Sequence, residues 1–228
     1  MRRLAAALAV LVAQSCLAAP GNVDSMGQRM QACAACHGKD GRGDAEGYFP
    51  RIAGKPSGYL YNQLASFRDG RRHNATMEHL LAQTTDAYLR EMADYFAALD
   101  APHAPPPAQR ASVSELERGR ALVLRGDASR DVPACVECHG AALTGVQPGV
   151  PGLVGLPAGY VSAQLGAWRN GQRAANEPDC MGRIARQVSA QDIAAVAQWL
   201  AAQPLPADAR PADASASPLL THCGSMHK

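Results

Sequence analysis

The pentapeptide Cys33-Ala34-Ala35-Cys36-His37 decides how the rest of the chain is interpreted, and it returns as Cys135-Val136-Glu137-Cys138-His139. In an exported chain this C-x-x-C-H spacing is typical of c-type haem attachment, in which two thiols add to the vinyl groups of the porphyrin. The adjacent histidine supplies its imidazole to the iron. We therefore predict two covalently attached c-type haems, with thioether bonds at Cys33, Cys36, Cys135 and Cys138 and iron ligands at His37 and His139.

Two other kinds of site use a C-x-x-C pair. Four cysteines can hold a structural zinc ion, but the two pairs here lie about a hundred residues apart, far beyond the usual short separation. A thioredoxin-type redox pair comes with a βαβ pattern, and none is visible in this sequence. Two haem sites are therefore the better interpretation.

The first residues have the composition of a secretory signal. Arg2 and Arg3 form a basic start, residues 4–13 are apolar but too few to span a bilayer, and small residues follow as far as Ala19. We predict a signal peptide over 1–19 and a periplasmic protein, because c-type haem is attached outside the cytoplasmic membrane. The alternative is a lipoprotein signal with a lipid on Cys16, although the residues before it lack the expected aliphatic side chain.

Composition and charge limit the classes of function. The chain has 228 residues, of which 47% are hydrophobic but only 5% aromatic, so buried haems would add apolar area to a thin core. Removing Arg2 and Arg3 with the leader leaves 20 basic and 20 acidic residues, and no basic stripe indicates nucleic-acid binding. We expect contact with a membrane to be peripheral, unless Cys16 is lipidated.

The two halves of the chain are copies of one pattern. A shift of 101–104 residues superposes them, with Pro50, Gly54, Pro56, Gly58 and Tyr59 falling on Pro151, Gly155, Pro157, Gly159 and Tyr160. Each copy has a short helix, the haem motif, a Gly/Pro-rich stretch, a middle helix, a methionine loop and a closing amphipathic helix. This pattern predicts domains at 24–100 and 113–203, a proline-rich linker at 101–112 and a tail at 204–228.

Capping residues predict where several helices begin. We expect helices over Ser25 to Ala34 and Ser114 to Arg125 before the two haem motifs, the second opened by a capping box of Ser114 with Glu117. Ser189 and Asp192 are expected to cap the last helix of the second half.

The second axial ligand of each iron follows from elimination and from the repeat. The second half has no histidine between His139 and His222 and only one methionine before the tail, so we predict Met181, with the Cys180 thiol as the alternative. In the first half Met77 occupies the matching position, and His73 and His79 are the alternatives. Because His/Met ligation fills both axial positions, we expect an electron carrier and not an enzyme.

Arginines at the ends of the middle helices are candidates for binding haem propionates, since a guanidinium pairs well with a carboxylate. An ordinary solvated helix end explains them equally well. The candidates are Arg68, Arg72, Arg169 and Arg173.

In its order of motifs the chain resembles the dihaem cytochrome c4 group of bacterial cytochromes over about residues 26–203. The residues that carry the resemblance are Cys33 to Gly38, Ile52-Ala53-Gly54, Gln63-Leu64, Phe67-Arg68, Asn74 with Met77, Val132-Pro133-Ala134 and Leu153-Val154-Gly155. The resemblance implies an all-α protein of two tandem cytochrome c domains related by a pseudo-twofold axis, with the haem edges close together.

These observations predict a periplasmic carrier of electrons between redox protein partners, such as a quinol-oxidising complex, a terminal oxidase or a dehydrogenase. The alternatives are a cytochrome subunit docked on a dehydrogenase as its electron acceptor and, less well supported, a dihaem peroxidase, which would need one open haem. With four of the seven cysteines assigned to haem, and Cys16 removed if the leader is cleaved near Ala18, two remain, and we predict a disulfide between Cys180 and Cys223. The alternatives are two unreactive thiols or a disulfide to another chain.

Overall fold

The computed structural model describes residues 24–103, 111–214 and 222–226. The predicted signal peptide, Cys16 and most of the predicted linker lie outside these ranges. The first half contains α1 Met26–Arg29, α2 Gln31–His37, α3 Ser57–Arg68, α4 Ala75–Leu81 and α5 Asp86–Ala97, with a 3₁₀ turn at Lys39–Gly41. Within the described ranges no helix has the length and apolar character needed to cross a membrane.

The second half repeats the same order and adds a small sheet. Its elements are α6 Val113–Arg125, a 3₁₀ turn at Ala128–Arg130, α7 Cys135–His139, β1 Gly145–Val146, β2 Val150–Pro151, α8 Ala158–Arg169, α9 Cys180–Gln187 and α10 Ala190–Ala201. The two strands pair antiparallel, with Gly145 opposite Pro151 and Val146 opposite Val150. The fold is mostly helical, as the sequence predicted.

Each half has its own hydrophobic core. In the first half α3 packs on α5, and the buried side chains include Leu60, Phe67, Leu89, Met92 and Phe96. In the second half α10 packs on both α6 and α8, and its buried side chains include Leu122, Val123, Val161, Val196 and Leu200. The apolar faces of the two closing amphipathic helices, α5 and α10, therefore pack into these two cores.

Several local predictions need correction. The first predicted helix is two short ones, α1 and α2, which are interrupted at Met30. The capping box of α6 uses Ser112 and Glu115 in place of Ser114 and Glu117. The sequence contains both pairs two residues apart, and the earlier pair caps the helix because Ser114 already lies inside its first turn.

The methionine segments are also more regular than predicted. Met77 lies in α4 and Met181 in α9, so each is held by a short helix and not by a loop. Asn74 and Asp179 cap these helices through their side chains. The predicted cap of α10 is present, since Ser189 and Asp192 form a reciprocal capping box.

The halves meet along a short antiparallel backbone contact centred on Arg72 and Arg173. His73 N–H donates to the Gln172 carbonyl at 3.0 Å, and Ala174 N–H donates to the Arg71 carbonyl at 2.6 Å. Arg72 and Arg173 occupy matching positions of the repeat. Each half therefore contributes one donor and one acceptor at matching positions, as a pseudo-twofold axis through this contact requires.

Two described parts of the tail lie against the second half. Ala212 pairs with the backbone of Gly145 and Gln147, extending the small sheet. Farther on, the segment 222–226, here called the strap, reaches α9. Its Cys223 forms the predicted disulfide with Cys180, with the two Cα atoms 5.7 Å apart.

Candidate haem-binding sites

Both motif histidines are oriented in the same way. His37 ends α2 and His139 ends α7, and their Nδ1 atoms lie 2.8 Å and 2.7 Å from the carbonyl oxygens of Pro50 and Pro151. A carbonyl only accepts a hydrogen bond, so Nδ1 carries the proton and the Nε2 lone pair is free for a metal. Burial lowers the pKa of both histidines, which favours the neutral imidazole that iron binds.

The predicted ligands of the second half lie around one apolar cavity. Cys135, Cys138, His139 and Met181 all contribute to its wall. Burial raises the pKa of the Cys135 thiol to about 11 and also raises that of Cys138. The rest of the wall is largely aliphatic and includes Leu122, Val132, Leu153, Leu156, Val161, Leu165, Ile184, Val188, Ile193, Val196 and Leu200. Such a wall suits a large flat porphyrin.

Trp168 supplies a polar test of this fit. Its ring lines the cavity, and its Nε1 atom is buried without a hydrogen-bond acceptor among the described residues. A buried indole N–H without an acceptor is costly, which indicates that a group outside the polypeptide accepts from it. A haem carboxylate in the cavity would satisfy this donor.

Two arginines face each other at the contact between the halves. Arg72 donates to Gln63 Oε1 at 3.1 Å and to Gln164 Oε1 at 2.7 Å. Arg173 donates to the same two oxygens, each at 2.7 Å, and only 4% of it is exposed. We call this group of Arg72, Arg173, Gln63 and Gln164 the arginine seam.

The excess positive charge of the seam favours the binding of an anion. Burial lowers the pKa of Arg173, and the neighbouring Arg72 lowers it further. Burial alone would raise the pKa of Tyr59, but Arg173, Arg72 and Lys55 outweigh it and bring this pKa to about 8. Among the described residues, neither seam arginine forms an ion pair with a carboxylate. Propionates arriving from both halves would neutralise this excess of positive charge.

The other two arginine candidates lie elsewhere. Arg68 forms ion pairs with Asp69 and Asp86, each at 2.8 Å, and is therefore satisfied by the protein. Arg169 is exposed at the end of α8. The four arginines that the sequence could not separate thus divide by geometry into two seam residues and two surface residues.

The first half places its candidate ligands on its core. Cys33 and Met77 are partly buried and pack against the core cluster, whereas Cys36 is exposed. The alternative ligands His73 and His79 are both exposed, and His73 Nδ1 lies 3.3 Å from Glu78 Oε1. In the second half the alternative ligand Cys180 is occupied by its disulfide.

Some contributors to the sites were not found from the sequence. The glutamines of the seam recur at matching positions beside the recurring arginines, and that pairing was the available signal. The strap residues Ser225 and Met226 also line the second cavity, beside the predicted disulfide partner Cys223. No local pattern marks Ser225 and Met226, because the contact joins segments far apart in the chain.

Several known proteins are similar to this chain. The model of the cytochrome c family matches residues 27–101. A thiosulfate dehydrogenase electron acceptor from Thiomonas intermedia (strain K12) is 38% identical over 188 residues, which cover 82% of this chain and 86% of that protein. Cytochrome c4 from Pseudomonas aeruginosa is 34% identical over 88% of this chain and 98% of its own. The chain belongs to the dihaem cytochrome c4-like family.

Solved structures of the family agree. Reduced recombinant cytochrome c4 from Pseudomonas stutzeri has a TM-score of 0.64 and 29% identity, covering 75% of this chain and 93% of its own. Thiosulfate dehydrogenase from Marichromatium purpuratum has a TM-score of 0.64 and 36% identity over 76% of this chain, but the match spans only 36% of that longer chain. This cytochrome c4-like protein is therefore an electron-transfer cytochrome of two tandem cytochrome c domains with two covalent c-type haems, as the sequence predicted.

Proposed function

We propose that this cytochrome accepts electrons from a dehydrogenase that oxidises thiosulfate and passes them to a further redox protein, such as a terminal oxidase. The names of two relatives support the choice of donor. Besides the Thiomonas protein, a thiosulfate dehydrogenase electron acceptor from Stutzerimonas stutzeri (strain A1501) is 41% identical over 75% of this chain. A cytochrome carrying electrons from another complex, such as a quinol-oxidising one, is the second candidate, because the chain also matches nearly all of a cytochrome c4 whose name specifies no dehydrogenase.

The site residues are part of the same proposal. Cys33, Cys36, Cys135 and Cys138 form the thioether bonds, and His37 with Met77 and His139 with Met181 are the axial pairs. The hydrogen bonds from the histidine Nδ1 atoms to the Pro50 and Pro151 carbonyls leave each Nε2 free, and it would bind the iron of a haem. Because side chains fill both axial positions, there is no open site for substrate, which supports a carrier and not an enzyme.

The observation that carries the function is the arginine seam. A haem carries one reversible electron, and the two halves, each with one haem motif, meet at one pair of arginines. Arg72 and Arg173 each hydrogen-bond glutamines of both halves, so propionates bound there would approach one another across the pseudo-twofold axis. We infer that electrons pass between the halves at this seam.

The architecture around the sites completes the proposal. We propose an exported, periplasmic protein with the domain bounds given above, a leader at 1–19 and a tail at 204–228. The disulfide between Cys180 and Cys223 supports export, because such bonds persist in oxidising compartments.

The donor is tested with the purified holoprotein and a thiosulfate dehydrogenase, for example that of the Stutzerimonas strain. We expect both haems to be reduced by thiosulfate only when the dehydrogenase is present, which absorption spectroscopy follows directly. Ascorbate serves as a control that the haems are reducible. A protein that ascorbate reduces but thiosulfate with dehydrogenase does not would contradict the proposed donor.

A further inference from the structure

One face of the domain is covered in the second half but exposed in the first. In the second half Gly149 and Val150 precede Pro151, whose carbonyl holds His139, and the strap lies across them. Val150 is only 5% exposed and packs against Met226 of the strap. The first half carries Tyr48 and Phe49 at the matching positions.

These two aromatic side chains are left on the surface. Tyr48 is 78% exposed and Phe49 is 37% exposed, although both are large and apolar. Their rings meet edge to face with centroids 4.9 Å apart. We call Tyr48 and Phe49 the aromatic face. Among the described residues, no segment covers the aromatic face as the strap covers the matching face of the second half.

The aromatic face is held rigidly by its own loop. The Asp44 carboxylate accepts hydrogen bonds from the backbone N–H groups of Gly47, Tyr48 and Phe49, the last two at 3.0 Å and 2.7 Å. Asp44 N–H also donates to the Phe49 carbonyl at 3.0 Å. A loop fixed in this way loses little conformational entropy when a partner binds to it.

The second half supports the loop from behind. Gly47 has a φ of +80° and lies so close to Tyr160 that a Cβ atom would come within 2.8 Å of the tyrosine Cβ. Only glycine allows this close approach without strain. The loop therefore rests on the other domain while it presents Tyr48 and Phe49 outward.

The aromatic face also lies beside the first haem site. The Phe49 ring stands edge-on to His37, with the two centroids 6.4 Å apart. If His37 binds iron, a protein docked on Phe49 is separated from an iron ligand by a single aromatic ring. This position suits the entry of electrons.

We propose that the aromatic face is the docking surface for the electron-donating dehydrogenase, which seats an apolar side chain on it as Met226 of the strap sits on Val150 of the second half. This inference rests on the proposed function. Exposed charges nearby are balanced, with Lys39 and Arg42 against Asp40 and Glu46. Affinity therefore comes from the aromatic side chains, which dominate many interfaces, and depends little on salt.

The test compares single substitutions in the thiosulfate-driven assay with the Stutzerimonas dehydrogenase. We expect Tyr48→Ala and Phe49→Leu to raise the KM for the cytochrome about tenfold, while Tyr48→Phe, which keeps the ring, stays close to the original protein. Val113→Ala is the matched control, because Val113 is 73% exposed on α6 of the other half. Reduction by ascorbate should be unchanged in every variant, and both midpoint potentials should be unchanged in the Tyr48 variants and in Val113→Ala, because Tyr48 and Val113 do not contact His37.

The outcomes separate the two proposals. If the unaltered cytochrome is not reduced, the proposed donor is wrong and the docking surface loses its occupant. If it is reduced but Tyr48→Ala changes KM less than twofold, or no more than Val113→Ala does, the donor stands and the docking surface is wrong. A tenfold rise at 0.5 M salt as well as at low salt would support apolar docking.

Discussion

The two halves of this cytochrome hold their candidate haem ligands alike but cover them differently. Both histidines bond to a proline carbonyl, and both halves give one arginine and one glutamine to the seam. Yet His139 is only 7% exposed, whereas His37 is partly exposed and Cys36 lies at the surface. The duplication has therefore kept the candidate haem ligands and the seam residues, but it has changed how far the ligands are exposed.

The strap, which covers the second site, is bound to both halves of the chain. Its disulfide fixes it to α9, one residue before Met181. The Asn62 side chain of α3 donates to the Ser225 carbonyl at 2.9 Å, and Asn176 N–H donates to Ser225 Oγ at 3.1 Å. A Cβ atom on Gly224 would collide with the carbonyl oxygens of Asn176 and Glu177, so only glycine fits there. We therefore expect the second haem to be the shielded one.

The largest effect should come from the methionines. Met77→Ala and Met181→Ala should each remove about half of the iron–sulfur charge-transfer absorption and lower the potential of one haem, because each iron loses its thioether. The rate of carbon monoxide binding to these variants then compares how accessible the two haem sites are. We expect reduced Met77→Ala to bind it faster than reduced Met181→Ala, since the strap still covers the second site. Unchanged spectra in either variant would show that the ligand is misassigned.

Removing the disulfide should weaken that contrast. The double variant Cys180→Ser/Cys223→Ser opens a loop with a sequence separation of 43 residues, so we expect the second half to lose about 3 kcal/mol of unfolding free energy. Carbon monoxide should then bind Met181→Ala in this background about as fast as Met77→Ala. Denaturant unfolding followed by haem absorption measures the first effect. Equal stability and a still slower second site would show that the strap holds without its disulfide.

A smaller difference is expected between the caps of the closing helices. Asp192 is 1% exposed and lies 2.6 Å and 2.7 Å from nitrogens of Arg118 and Arg130. Burial alone would raise its pKa, but hydrogen bonds from Arg130, Ser189 and Arg118 outweigh burial and hold the pKa well below its usual range. In the first half the corresponding cap is the neutral Thr85, which accepts from Tyr88 N–H.

The pH dependence follows from this sign. A depressed pKa stabilises the fold above the unfolded-state value of about 4 and ceases to do so as the pH falls toward the folded-state value. We expect Asp192→Asn to cost about 2 kcal/mol at pH 7 and progressively less below about pH 4. Thr85→Ala should cost about 1 kcal/mol at both pH values. Thermal unfolding from pH 3 to 7 checks both, and a pH-independent cost for Asp192→Asn would contradict the account.

Local chemistry made much of this predictable. The spacing of the haem motifs, the repeat and the cysteine count indicate the fold class, the cofactors and the disulfide from the sequence alone. The start of α6 was misplaced because Ser112-Glu115 and Ser114-Glu117 both have the form of a capping box. Local sequence cannot choose between two overlapping signals of equal quality.

The rest depends on contacts between distant segments. Asn62 and Ser225 meet through a backbone carbonyl, which any residue could supply, so the sequence carries no sign of the bond. The separation of Arg72 and Arg173 from Arg68 and Arg169 likewise depends on how the halves dock. The exposure of Tyr48 and Phe49 could not be predicted from the sequence either, because it depends on the strap packing on the matching residues of the second half.

The most direct test of the central claim is peptide mapping of the unreduced holoprotein by mass spectrometry, together with its intact mass. We predict two haem additions per chain, one on the peptide containing Cys33 to His37 and one on that containing Cys135 to His139. We also predict a separate peptide pair linked through Cys180 and Cys223. A single haem, or a haem or free thiol at Cys180 or Cys223, would contradict two equivalent haem sites of which only the second is covered by a disulfide-bonded strap.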